Sequence, residues 1–233
     1  MRFRLRWIEP GSFLMGSPED ERKRIAGRER QHEVTLSRGY WIGVTEVTQA
    51  LWTEVTGKNP SKFKGPDRPV ENVSWNDAQE FIGKLNIRVP GLEVRLPTEA
   101  EWERACRAGT TTPFSFGANI TTDQVNYNGN RPYPGGRRGT YRRHTVPVAS
   151  LLPNPWGLYE IHGNVWEWCA DWYSEDYPTG PVTDPPGPAE GSYRVRRGGS
   201  WVSDAKNVRS AYRIRTPPSK RRPNYGFRLA RGQ

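Results

Sequence analysis

Residue types that do covalent or metal chemistry are sparse in this 233-residue chain: two cysteines, Cys106 and Cys169, and three singly scattered histidines, His32, His144 and His162. A reactive cysteine needs a neighbour that lowers its pKa, and a soft-metal site needs thiolates close together. Cys106 falls within a helix-like segment and Cys169 directly follows Trp166-Glu167-Trp168, so both read as small buried residues rather than reactive thiols. Ser200 and Ser203 have no histidine-containing motif nearby that would serve as a base. No catalytic residue is assigned from these patterns.

Arginine is the abundant chemical resource. The formal charge is +10, and residues 191–233 hold 12 Lys/Arg against one acid, Asp204, leaving 23 bases and 24 acids in residues 1–190. All the excess charge is in the tail. Arginines spread through one segment make either a phosphate-binding face or internal forks that tie loops to carboxylates and carbonyls. The structural reading is preferred, with Glu46, Glu71, Glu99 and Glu101, set beside apolar or aromatic positions, as candidate partners. Between the tail's arginine, glycine and proline positions lie Val202, Ser203, Asp204, Tyr212, Ile214, Thr216, Arg222, Pro223, Asn224 and Tyr225, which share no chemistry.

These residues must be held by a scaffold with little aliphatic content. Hydrophobic residues make up 34% and mean hydropathy is −0.86, yet 10 Trp and 10 Tyr predict an aromatic-heavy core. Trp75, Trp102, Trp156, Trp166 and Trp168 are expected in it. Three helices are predicted: 49–56, capped by Thr48 and ended by Gly57; 77–85, opened by Ser74 and Asp77; and one opened by the Thr98/Glu101 capping box and stopped by Gly109. Strand-like runs occupy 11–16, 32–36, 39–44, 145–148 and 226–230, with loops over 118–143 and 174–192. The expectation is an α+β, irregular, loop-rich single domain over 1–233. The N-terminus has no apolar stretch of signal-peptide length and no run would span a bilayer, so a cytoplasmic protein without a membrane partner is expected.

Several segments together resemble one family. They are Pro10–Ser17, Val44–Thr48, Pro69–Trp75, Arg95–Glu103, Asn154–Tyr159, Gly163–Trp168, Arg197–Trp201 and Gly226–Arg228. In this order they are similar to the formylglycine-generating enzyme, or sulfatase-modifying-factor, domain, an elaborated C-type lectin fold. The resemblance implies a copper(I) site of two cysteines in the enzymes, but those positions fall on Ser203 and Val208, so no copper is expected. Sulfoxide-synthase relatives take iron with histidines of an additional helical domain. Spacing alone leaves a three-histidine site open here, without favouring it.

The resemblance also implies calcium. The family's second site carries over to Glu160, the carbonyls of Gly163 and Val165, and Glu167, a set of hard oxygen ligands on one loop. The alternative is that Glu160 and Glu167 pair with arginines. The first site would begin at Asn126 and Tyr127, but its aspartate position falls near Arg138 and Gly139.

The ten interspersed tail residues share a codon property: each can be reached from an asparagine codon by changes at its adenines alone. Restoring asparagine gives a segment similar to the variable proteins of diversity-generating retroelements, in which adenine-directed mutagenesis diversifies an exposed site on this fold. The resemblance implies a non-catalytic ligand-binding protein with its variable region at 197–229. Its partner is expected to be a macromolecule, a protein before a nucleic acid; the alternative is a sulfatase-modifying or related oxidoreductase.

Overall fold

The computed structural model describes residues 3–232. Three short helices are set among small sheets. Helix α1 (Gln49–Thr56) is capped by the Thr48 hydroxyl and ends at Gly57 in the left-handed region. Helix α2 (Trp75–Arg88) starts with a complete Ser74/Asp77 capping box and runs longer than the predicted 77–85. Helix α3 (Glu99–Arg107) has the predicted Thr98/Glu101 box, but Ala108 rather than Gly109 is its left-handed cap.

Among the described residues eleven strands form: β1 (Leu5–Ile8), β2 (Gly11–Met15), β3 (His32–Leu36), β4 (Tyr40–Gly43), β5 (Val94–Arg95), β6 (Trp166–Trp172), β7 (Val182–Thr183), β8 (Arg194–Arg197), β9 (Arg213–Thr216), β10 (Tyr225–Gly226) and β11 (Ala230–Arg231). They form sheets ordered β1-β4-β11-β5, β10-β6-β8-β9 and β2-β3-β7. Strand β4 pairs with both β1 and β11, which fixes the two ends of the described chain side by side. The predicted strand at 145–148 is not one: Thr145 takes a hydrogen bond from Arg68 through its carbonyl, and Val148 N–H donates to Asp67 O at 2.7 Å. The predicted 226–230 run splits between β10 and β11.

The core is aromatic as expected. Trp52, Phe81, Trp168 and Phe227 pack between α1, α2 and the second sheet, with Trp52 and Phe81 rings stacked at 5.0 Å. Each buried side chain of this size contributes about 1.5–3 kcal/mol by removal from water. Trp102, Trp166 and Trp168 are buried, whereas Trp75 and Trp156 are half-buried. Trp156 borders Arg104, and Trp75 stacks on Arg194, its ring 3.9 Å from the guanidinium carbon. Among the described residues no helix is long and apolar enough to cross a membrane.

Candidate functional site

The second sheet positions most of the tail. Register pairs Trp168 with Arg196, Arg196 with Ile214, Arg194 with Thr216, and Tyr225 with Trp166. Directly opposed residues share a face of a sheet, and neighbours along a strand alternate. Tyr225, Trp166, Trp168, Arg196, Ile214 and Thr216 therefore lie on one face. Glu167, Arg197 and Arg213 lie on the other.

That inner face is built from ion pairs. Arg213 grips Glu99 through Nε and Nη2, both at 2.8 Å. Arg197 pairs with Glu103 and Arg228 forks onto Glu167 at 2.6 and 2.7 Å. Further along the tail, Arg209 binds Glu29 at 2.8 Å through each of two nitrogens and also reaches Glu21. All these arginines are buried. Four of the tail's twelve cations are thus neutralised inside the fold, at a desolvation cost that only the complete pairing offsets.

Of the four glutamates nominated as partners, only Glu99 receives tail arginines. Glu101 forks with Arg95 at 2.6 Å. Glu71 accepts the N–H groups of a local turn, with Phe63 N at 2.8 Å. Glu46 faces Asn164 at 3.2 Å and has no ion pair, and burial, with the Glu160 and Glu167 carboxylates nearby, raises its pKa well above the usual range. The pairs with Glu21, Glu29 and Glu103 were missed because nothing in the local sequence marks them.

The ten nominated binding residues divide. On the sheet face, Tyr212, Ile214 and Tyr225 are half-buried, with the Tyr212 ring 5.9 Å from Trp166 and the Tyr225 ring 5.8 Å from Trp168. Next to them Val202 and Arg222 are exposed and Asp204, Pro223 and Asn224 half-buried around Trp201, whose Nε1–H donates to Pro223 O at 3.1 Å. Asn224 joins the groups: its carbonyl accepts from Trp166 N at 2.8 Å and its amide donates to Ser200 Oγ at 3.0 Å.

Two positions are not surface contacts. Ser203 is buried, with its Oγ 3.1 Å from Ser200 N and 3.2 Å from Ser200 Oγ. Thr216 is buried beneath the guanidinium of Arg196, which donates to its hydroxyl twice. In both, the side chain serves a neighbouring tail residue instead of solvent.

Several flanking residues were not anticipated. Tyr141 stacks on Trp201 at 6.4 Å, Phe63 meets it edge-on at 5.4 Å, and Arg143 and Lys62 lie over these outer rings. The interleaved Arg-Arg-Gly-Thr-Tyr-Arg-Arg of 137–143 is the signal that would have found Tyr141 and Arg143; nothing in the local sequence marks Lys62 and Phe63.

The positions equivalent to copper thiolates are poorly suited to metal. The Gly198-Gly199 turn, with both residues at positive φ, brings Ser200 to Ser203 against the 207–208 backbone; a Cβ on Gly199 would sit 2.3 Å from Val208 Cγ1. Val208 is fully buried among Phe114, Tyr127 and Tyr133. Cys106 lies 3.6 Å from His162 Nε2, but burial pushes its thiol up to about 12, which keeps it protonated and inert. Burial likewise holds His162 down to about 4, with one ring nitrogen 2.7 Å from Val208 O and the other 2.9 Å from Ser115 Oγ.

The nominated calcium ligands do not fit the ion as packed here. Glu167 is filled by Arg228 and by Trp102 Nε1–H at 2.6 Å, so its charge already has a cation. Glu160 accepts three backbone N–H groups, from Ala149, Ser150 and Leu151 at 2.8 to 3.1 Å. A calcium cage turns oxygens toward the metal. As packed here, the carboxylates of Glu160 and Glu167 in the expected set of Glu160, Gly163, Val165 and Glu167 face N–H donors.

Residues 4–233 match the model of the sulfatase-modifying factor enzyme 1-like domain. The chain belongs to that family. Solved structures similar to this chain include Treponema denticola variable protein 1, 32% identical with a TM-score of 0.83 over 100% of this chain and 96% of that one. Another is PvdO from Pseudomonas aeruginosa, 28% identical with a TM-score of 0.84 over 97% and 93% of the two chains. The formylglycine-generating enzyme of Thermomonospora curvata is 37% identical over 217 residues, 82% of this chain and 63% of that protein. The serine/threonine-protein kinase pkn1 of Chlamydia caviae is 32% identical over 97% of this chain but only 37% of its own length. The chain thus spans 63% and 37% of the length of these two curated relatives. The α+β, C-type lectin-like fold of the sulfatase-modifying-factor family is thereby established, and its relatives carry the names of enzymes and of a variable protein alike.

Proposed function

We propose that the chain is a non-catalytic ligand-binding protein, a single domain over 1–233, whose segment 197–229 displays a diversified surface to a macromolecular partner, a protein rather than a nucleic acid. The observation that carries this reading is the alternation along β9. Arg213 is committed to Glu99 inside, while Tyr212 and Ile214 turn outward beside Tyr225 and Trp166. Around Arg213, strand geometry thereby separates residues free to vary from one bound to hold the fold, while Thr216 further along the strand is buried and held by Arg196. The likeness to a variable protein supports the same reading.

The face suits protein recognition. Tyr212, Tyr225, Ile214 and Val202 supply contact area with few rotatable bonds, and Asp204, Arg222 and Asn224 supply adaptable hydrogen bonds. The ion-pair frame beneath keeps the backbone fixed, so little entropy is lost on binding. Against the oxidoreductase alternative, neither Ser203 nor the buried Val208 offers copper a thiolate.

A displayed library randomised at Val202, Asp204, Tyr212, Ile214, Arg222, Pro223, Asn224 and Tyr225 and panned against lysozyme tests the proposal. Each substitution is expected to move Tm by no more than about 2 °C, as for surface sites, and binders are expected to emerge. Widespread unfolding of the library would refute the binding-face reading. Copper-dependent oxygen uptake with a cysteine peptide would refute the non-catalytic one.

A further inference from the structure

Among the described residues six arginines are buried: 107, 196, 197, 209, 213 and 228. Five of them reach a glutamate: Arg107 and Arg197 on Glu103, Arg209 on Glu21 and Glu29, Arg213 on Glu99, and Arg228 on Glu167. Arg196 reaches none. Its Nε and Nη2 both donate to the Thr216 hydroxyl, at 3.0 and 2.6 Å, and its Nη1 has no hydrogen-bond partner. Its guanidinium carbon lies 3.5 Å from the Tyr225 ring centre, 5.1 Å from Trp166 and 5.3 Å from Trp168.

Burial lowers its pKa to about 10, which still leaves it charged at neutral pH. A desolvated guanidinium with aromatic walls and an unused donor is costly unless something completes it, and planar oxyanions match its fork. Its position is telling. Arg196 lies at the middle of the outer sheet face, opposite Ile214 and against Tyr225 and Thr216.

We propose that Arg196 is a fixed anion-binding centre in the variable face, taking a carboxylate or phosphate group of the ligand on the buried Nη1 once the Tyr225 ring that covers it at 3.5 Å moves aside. This rests on reading that face as the binding surface. The aromatic walls exclude water from the contact and strengthen it. Thr216 and Tyr225, both among the interspersed tail residues, cover the guanidinium, so changes there alter access to a constant charge. The surface would then combine one invariant electrostatic anchor with variable surroundings.

The experiment is a titration of the whole protein with benzoate and with phenyl phosphate, exchanged for chloride at constant ionic strength. It is followed by the arginine Nε–Hε resonances and by tryptophan fluorescence. A saturable response at the Arg196 resonance is expected, weakened at least tenfold in Arg196→Gln. Thr216→Val, which releases Nε and Nη2, is expected to tighten binding and keeps the test open should Arg196→Gln fail to fold. Response to benzoate alone assigns an acidic side chain as the ligand group, and response to phenyl phosphate alone assigns a phosphate. A response that only follows total salt, or that is unchanged in both variants, overturns the anion site. A library that still folds and yields binders in that case leaves the binding face intact, which separates the two failures.

Discussion

Replacing Arg209 with leucine tests the claim that the tail's buried arginines are internal struts. The substitution leaves Glu21 and Glu29 buried together without their cation, and the carbonyls of Lys23 and Lys206 lose donors at 3.0 and 2.9 Å. Burial already raises the Glu21 pKa with Arg209 present. Breaking a buried ion pair from one side costs about 3–5 kcal/mol. With an m-value of about 3 kcal/mol per molar urea, the unfolding midpoint should fall by roughly 1–1.7 M. Arg215→Leu, which breaks an exposed pair with Glu175 at 2.7 Å, should cost less than about 1 kcal/mol in the same assay. The deficit of Arg209→Leu should also shrink as pH falls towards 4, where protonation relieves the stranded carboxylates. Equal midpoints for the two variants would refute the internal-strut account and return the arginines to a surface role.

Two further outcomes follow from the buried polar groups. His162 is held down to about 4 against an ordinary 6.5, so the unfolded chain takes up its proton first as pH falls; stability should be intact above pH 6.5 and decline by about 3 kcal/mol towards pH 4. His162→Gln flattening of that slope, measured by urea unfolding at stepped pH, checks it, and an unchanged slope rejects it. Because Glu160 and Glu167 face N–H donors, millimolar calcium or a chelator should move Tm by less than about 1 °C. A calcium-dependent rise of several degrees would restore the metal site.

Local chemistry explains which parts of the fold were legible. Thr48, Ser74 and Thr98 cap helices through residues three positions away, so the helix starts can be read from short stretches. Strands β8 and β9 carry arginine where alternation would call for apolar side chains, because the inner face is lined with ion pairs instead. The partners of those arginines lie 114 residues away for Arg213 and Glu99, and 180 for Arg209 and Glu29. Composition reveals such a frame only as an excess of charge. Ser203 and Thr216 were placed on the surface for the same reason, since their burial is set by the Gly198-Gly199 turn and by Arg196, not by their neighbours in sequence. Tyr212 and Ile214 were singled out as interspersed positions between Arg209, Arg213 and Arg215, whereas the strand that carries Ile214, β9, was not expected.

The most direct measurement is the sequence of the genomic neighbourhood of this chain's coding segment for residues 191–233. The account predicts a near-identical second copy beside a reverse transcriptase gene, its differences concentrated at adenines in the codons for 202–204, 212, 214, 216 and 222–225. A neighbourhood without such a copy, or one whose differences fall equally on the arginine frame, would contradict it.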